Sequence, residues 1–274
     1  MLTLSSCFYI IKSKFNIDTY VEWMNNFISI CNNFNLVIYT NEESVHHIKT
    51  NGNPRIRIII KPIDQFYCYK YREFWIQNHE KNAMLNSQSQ FNTAWELNML
   101  WSEKIAFVQE TIRNQYFDTE YYGWCDIGYF RNRQADTHTS NLDTHTSNLM
   151  SWPTIHSFDK NKVHYACVNN SRPYINELVR IANTRGENGL PVQPIPPNQY
   201  SVAGGFFLLH RNKIQWWSDL YYSTLERYFA NNYLVKDDQI IIADCVFSHL
   251  GNFKLYQEAI PQYDNWFMFQ RLLL

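Results

Sequence analysis

The stretch Tyr121-Tyr122-Gly123-Trp124-Cys125-Asp126-Ile127-Gly128 decides the reading of the fold. Its residues suit a buried strand, run into a single acid, and are followed by a glycine. In open α/β sheets ligands collect at the carboxyl ends of strands, so Asp126 sits where chemistry is expected. A carboxylate closing an apolar strand gains nothing unless it has a partner. A metal ion holding a diphosphate would be one, because hard cations take oxygen ligands. The plainer reading is an Asp that caps a turn before Gly128.

Upstream of this strand, apolar runs alternate with helical patterns. Phe8 to Ile11 reads as a first strand, Leu36 to Tyr39 as a second and Arg55 to Ile60 as a third, ended by Pro62. Between the first two, Thr19-x-x-Glu22 has the form of a capping box. Tyr20, Trp23, Phe27, Ile30 and Cys31 then fall on one helical face. Asn41-Glu42-Glu43 opens a short helix. A second box, Thr93-x-x-Glu96, starts a long helix striped by Leu97, Leu100, Trp101, Ile105, Val108 and Ile112. The βαβαβ order predicts a mostly parallel central sheet flanked by helices.

Downstream, residues 136–149 repeat Asp-Thr-His-Thr-Ser-Asn-Leu twice, without apolar periodicity, and read as an inserted surface loop. His138 and His145 there are metal-capable residue types, although repeat slippage explains them more simply. Pro191 to Pro197 reads as a loop near the cleft. Gly204 to His210 reads as a buried strand introduced by two glycines, and Ile214 to Tyr228 as a striped helix. Asp237-Asp238-Gln239 opens a helix running to about His249, and Phe253 to Tyr256 closes as a strand. No linker separates these pieces, so the chain reads as one α/β domain.

Composition bounds the function. The chain has 274 residues with 24 Lys+Arg against 25 Asp+Glu, a net charge of −1. That balance argues against a general nucleic-acid binder, which needs a basic surface to release phosphate counterions. With 45% hydrophobic and 18% charged residues the chain is globular. No stretch approaches the roughly 18 apolar residues of a membrane span. The N-terminus lacks the features of a signal peptide, and the six cysteines are scattered without a C-x-x-C pair. Both point to a reduced, cytoplasmic setting. The motifs for dinucleotide binding, the P-loop, the serine-hydrolase elbow and the zincin helix are absent.

Four groups of residues stand out as candidates. Asp126 is the first. Lys104 is the second, a cation on the face that carries Trp101, Ile105 and Val108. It either snorkels its head to water or delivers a cation to the carboxyl edge of the sheet. Asp237 and Asp238 are third: one acid suffices to cap a helix, which leaves the other for a substrate hydroxyl. Gly204 and Gly205 are fourth, permitting close approach to the backbone, with a plain β-bulge as the simpler reading.

Several blocks together resemble the HtrL/YibB family, related to GT-A glycosyltransferases. They are Trp95 to Val108, Tyr121 to Arg131 (YYGWCDIGYFR), Gly204 to Trp217 (GGFFLLHRNKIQWW), Lys236 to Ile242 (KDDQIII) and the closing NWFMFQRLLL. The resemblance runs from Phe8 to the end, with the repeat as its main departure. It implies a GT-A-like fold with a nucleotide-sugar-binding half (1–131), an acceptor-binding half (150–274) and the repeat-containing loop (132–149). It implies transfer of a sugar from a nucleotide-sugar, a UDP-sugar, to a glycan or other hydroxyl acceptor, assisted by Mn2+ or Mg2+. Where a D-x-D motif would have two acids this chain has one, Asp126, flanked by Trp124 and Gly128. Lys104 would neutralise the diphosphate, and Gly204, Gly205 and Gln239 would line the substrate. Asp238, beside Asp237, would be general base or sugar-binding acid, and His249 a further metal ligand. The alternative is a catalytically inactive glycan-binding or structural protein on the same scaffold.

Overall fold

A computed structural model describes residues 1–131, 151–155, 158–260 and 263–274. The duplicated segment at 136–149 lies outside them. One sheet of seven strands organises the chain: β1 (Leu2–Cys7), β2 (Phe34–Thr40), β3 (Ile56–Ile60), β4 (Tyr121–Cys125), β5 (Val163–Cys167), β6 (Val202–His210) and β7 (Phe253–Tyr256). Their spatial order is β3-β2-β1-β4-β6-β5-β7. The pairs β2–β3, β1–β2, β1–β4 and β5–β7 are parallel. Only β6 runs against its neighbours, β4 and β5. The α/β, mostly parallel sheet expected from the sequence is therefore present.

Strand periodicity assigns the two faces. Val37 and Tyr39, Tyr122 and Trp124, Phe207 and Leu209 enter one core, under α3 (Trp95–Ser102), α4 (Lys104–Arg113), α6 (Ile214–Ala230) and α7 (Asp238–Ser248). Leu36 and Ile38, Tyr121 and Cys125, Phe206 and Leu208 enter the other, under α1 (Ile17–Ser29) and the C-terminal Phe269. Both faces are covered, which explains why β2 reads as a continuous apolar run. β4 and β6 approach so closely at Gly123 that a Cβ there would lie 2.1 Å from the Phe207 carbonyl oxygen. The six cysteines are buried and free. Among the described residues, no helix is long and apolar enough to cross a membrane.

Several local expectations are corrected. The first strand is Leu2–Cys7; Phe8 to Ile11 form the segment leaving its carboxyl end. Helix α1 starts earlier than Thr19, with Asn16 as N-cap accepting from the Thr19 N–H at 2.8 Å. Thr93 caps nothing: its hydroxyl donates to the Leu85 carbonyl at 2.9 Å, and α3 begins after Ala94. The short helix after Asn41 is a 3-10 turn at Val45–His47. The long helix is two helices meeting at Glu103. That carboxylate is buried and accepts from the Tyr67 and Cys68 N–H groups at 2.7 and 2.9 Å. α2 (Arg72–Lys81), β5 and α5 (Arg172–Asn183) are absent from the sequence reading, although α5 has a Ser171 N-cap, Pro173 in its first turn and a buried stripe of Leu178, Ile181 and Ala182.

Candidate active site

The carboxyl ends of β1 and β4 and the opening of the antiparallel β6 lie along one edge of the sheet. A cavity of about 430 Å³ opens there, within the size range of small-molecule sites. Its lining draws on the segment after β1, on α3 and α4, on the turn after β4, on Gly204 and Gly205, on the start of α7 and on the C-terminal Trp266 and Phe267.

Lys104 is at the centre. It is the first residue of α4, and the break at Glu103 turns the two adjacent charges to different partners. Its Nζ lies 3.0 Å from Asp126 Oδ1 and 3.0 Å from Asp238 Oδ2, and it donates to the Gly204 carbonyl at 2.9 Å. The contact to Gly204 is a hydrogen bond, and the two carboxylates face the ammonium as ion pairs. The side chain is 8% exposed, so it does not snorkel to water. Burial alone would lower its pKa, but the Asp126 and Asp238 carboxylates outweigh burial and raise it.

The two carboxylates differ. The Asp126 side chain is 40% exposed and that of Asp238 is 5%. Asp126 Oδ1 also accepts from Trp124 Nε1 at 2.6 Å; the two residues are two positions apart and so share a face. The Asp126 N–H donates to the Gly205 carbonyl at 2.8 Å. Burial pushes the Asp238 carboxyl up to about 6, opposed by Lys104 and reinforced by Asp237 and Asp126. Asp237, N-cap of α7, makes no side-chain capping bond; its carboxylate pairs with Lys236 at 2.6 Å, and its Oδ1 has no hydrogen-bond partner among the described residues.

The glycines serve this cluster. A Cβ on Gly204 would sit 2.8 Å from Asp238 Oδ2 and 3.1 Å from Gln239 Cγ; one on Gly205 would sit 3.3 Å from Asp126 Oδ2. They let the two acids lie against the β6 backbone, and the β5–β6 register shifts across them, between the Tyr165–Phe207 and Cys167–Val202 pairs, so the irregularity expected of paired glycines is present as well. Gly128 makes room for Trp23, whose ring carbon would be 2.7 Å from its Cβ.

The structure thus brings together Lys104, Trp124, Asp126, Gly128, Gly204, Gly205, Asp237, Asp238 and Gln239 around one cavity. It does not bring His249. That residue follows the far end of α7, roughly 16 Å along the helix from Asp238 at 1.5 Å per residue. It bonds Ser248 and the Cys245 carbonyl beside Trp216. Pro191 to Pro197 do not line the cavity either.

The donor set does not fit the implied Mn2+ or Mg2+ as a resident ion. Hard divalent cations take about six oxygen ligands. Asp126 lines the cavity, Asp126 Oδ1 and Asp238 Oδ2 both face the Lys104 ammonium at 3.0 Å, and no three His, Cys, Asp or Glu side chains converge among the described residues. Two cations that the sequence reading does not single out also line the cavity. Lys14 lies 4.8 Å over the Trp101 ring, and Arg131 lies 4.7 Å over the Trp23 ring.

These features define an α/β protein with a small-molecule cavity, rimmed by acids and cations, at the carboxyl edge of its sheet. No protein-family model and no curated protein matches the chain. Among solved structures, the apo form of mouse xyloside xylosyltransferase 1 is similar at 11% identity and a TM-score of 0.45, over 93% of this chain and 85% of that one. The galactosyltransferase LgtC, in complex with donor and acceptor sugar analogues, is similar at 12% identity and a TM-score of 0.46, over 93% of this chain and 73% of that one. The HtrL/YibB resemblance rests on the sequence blocks quoted above.

Proposed function

We propose that this chain transfers a sugar from a nucleotide-sugar, a UDP-sugar, to a hydroxyl of a glycan or similar acceptor. The observation that carries the reading is the buried Lys104, which locks Asp126 and Asp238 at the edge of the cavity with 3.0 Å contacts to each. A scaffold without a ligand gains little from burying three charges, because their desolvation offsets most of their attraction. The sequence blocks that resemble glycosyltransferases coincide with the elements that build this cavity.

In this reading the acceptor hydroxyl attacks the anomeric carbon while the bond from that carbon to the diphosphate oxygen breaks. The electron pair leaves on the diphosphate. The hydroxyl proton goes to a carboxylate if the reaction inverts. Asp238 suits that role: its carboxyl is pushed up to about 6, closer to neutral pH than an ordinary acid. Its Oδ2 faces the Lys104 ammonium at 3.0 Å as an ion pair, with no hydrogen-bond partner of its own among the described residues. Asp126, held by Trp124 and Lys104, presents Oδ2 to sugar or ribose hydroxyls. Charge on the leaving group is met by cations preorganised in the cavity. The second reading, an inactive glycan-binding protein, is favoured by the single acid at the end of β4.

A thermal-shift panel of nucleotide-sugars, followed by product analysis with the hits, tests the proposal. Stabilisation by UDP-sugars with release of UDP in the presence of acceptor supports transfer. Stabilisation by glycans alone supports the second reading, and no response to any nucleotide removes the first.

A further inference from the structure

Lys104 already faces two carboxylates at 3.0 Å each and donates to the Gly204 carbonyl, so its charge is matched and that of a phosphate must be met elsewhere in the cavity. Lys14 and Arg131 are the cations that remain. Lys236, nearby, is paired with Asp237. Among the described residues no carboxylate lies within 4 Å of Lys14 or Arg131, in a cavity that includes both.

Both heads are held by rings, not by acids. Lys14 Nζ lies 4.8 Å from the Trp101 centroid and 5.3 Å from that of Phe91. The Arg131 guanidinium lies 4.7, 5.4 and 5.5 Å from the centroids of Trp23, Phe267 and Phe15. Its Nε donates to the Gly128 carbonyl at 3.1 Å, and its Nη groups meet no acceptor among the described residues. Ring faces hold a cation in place while sparing its N–H donors. The result is two positioned cations, in which the Lys14 ammonium and the Arg131 Nη groups have no hydrogen-bond partner among the described residues.

We propose that Lys14 and Arg131 form a diphosphate clamp, and that Lys104 is a positioning residue for Asp126 and Asp238 and not a phosphate ligand. The clamp names the phosphate-binding part of the site and rests on the nucleotide-sugar reading above. Arg offers a planar fork suited to phosphate oxygens and Lys a point charge. Two further facts bear on the clamp. Burial pushes the Lys14 ammonium down, opposed by Asp237 and Asp238 and reinforced by Lys236 and Arg131. Arg131 also ties the segment after β4 to Phe15, α1 and the C-terminal Phe267, so an anion that engages it meets four parts of the cavity wall.

The test is calorimetric titration with UDP, inorganic pyrophosphate and uridine at fixed ionic strength. The proteins are wild type, Lys14→Gln, Arg131→Gln and the charge-conserving Lys14→Arg and Arg131→Lys. Each Gln variant should weaken UDP and pyrophosphate roughly tenfold to a hundredfold, the range for loss of a charge-assisted hydrogen bond. Uridine affinity should not move, and the charge-conserving variants should recover most of the loss. Gln variants that bind both probes like wild type overturn the clamp while leaving the nucleotide-sugar reading intact. Wild type that binds pyrophosphate, with loss in the Gln variants, but not UDP supports the clamp and removes the nucleotide. Wild type that binds neither probe overturns both. Melting temperatures that fall with unchanged affinities make Arg131 and Lys14 structural pins and also overturn it.

Discussion

Replacing Lys104 with Met removes one charge and keeps most of the stem. The outcome is set by what the charge was holding. At 3.0 Å from each of two carboxylates, an ammonium gains roughly 5 kcal/mol per pair at an effective dielectric of about 20. Most of this is offset by the burial of the charges. What the variant exposes is the asymmetry: removing one partner of a buried pair leaves the other uncompensated, at about 3–5 kcal/mol. Asp238, with its side chain 5% exposed, carries nearly all of that penalty; Asp126, at 40%, recovers part of it from water. The Gly204 carbonyl loses its donor as well.

The penalty has a pH signature. Burial already raises Asp238 to about 6 in the presence of Lys104, and without the ammonium it must rise further. A carboxyl whose folded pKa lies above its unfolded value of about 3.9 costs stability as pH rises from the unfolded value through the folded one. Lys104→Met should therefore lose about 3–5 kcal/mol at pH 7 and much less near pH 4. Urea denaturation of both proteins across that range measures it, with the midpoint read at constant m-value. The double variant Lys104→Met/Asp238→Asn should recover much of the loss, since the two residues are in contact and couple. A loss under 1 kcal/mol at pH 7, as expected for a surface change, or a loss that is the same at pH 4, would refute the reasoning.

Other consequences can be checked separately. Gly204→Ala should cost about 1–3 kcal/mol, as overpacking does, because its Cβ meets Asp238 Oδ2 at 2.8 Å; chemical denaturation against Gly205→Ala, with its looser 3.3 Å contact, should rank the two in that order. His249→Ala should leave UDP affinity unchanged, and a tenfold loss would place that imidazole in the site after all. Mn2+ alone should not raise the melting temperature, since no three His, Cys, Asp or Glu side chains converge among the described residues and Lys104 already faces both Asp126 and Asp238; a rise of several degrees without nucleotide would reveal a ligand set this geometry lacks. Glu103 is pushed up to about 7 by burial, so wild type should lose stability relative to Glu103→Gln as pH rises from about 4.5 to 7, and a gap that stays flat or closes would argue that the Tyr67 and Cys68 donors hold the carboxylate in its ordinary range.

The sheet was legible where strands carry two-sided apolar runs. β2, β3, β4, β6 and β7 fall within two residues of the sequence reading: β2, β4 and β6 are buried along nearly their whole length and read as dense apolar runs, while β3 and β7, at the two edges of the sheet, are short and only partly covered. Capping was less legible. Thr19 and Thr93 satisfy the box pattern, yet Asn16 wins at one helix and no side chain caps the other, since the pattern ignores where tertiary contacts fix the start. The run from Trp95 to Ile112 keeps one stripe through Glu103, so nothing in the period reveals that the chain turns there to satisfy two N–H groups of a distant segment.

Legibility of the site follows a single distinction. Lys104, Asp126 and the Asp237-Asp238 pair each break a local pattern: a cation in an apolar stripe, an acid ending an apolar strand, a doubled acid where one would cap. A residue out of keeping with its neighbours is visible in one dimension. Lys14 and Arg131 break nothing. Lys14 sits in the polar run Lys12-Ser13-Lys14-Phe15-Asn16, and Arg131 precedes an Asn, so each passes for an ordinary surface charge. What makes them unusual is three-dimensional: Trp101, Phe91, Trp23 and Phe267 come from other elements. One clue was nonetheless available. With the first strand set at Phe8 to Ile11, the segment beyond it reads as the approach to α1. With the strand at Leu2–Cys7, residues 8–15 begin at the carboxyl edge of a central strand, the position from which ligand contacts are expected. The displaced strand boundary therefore hid Lys14 more than any weakness in its own signal did.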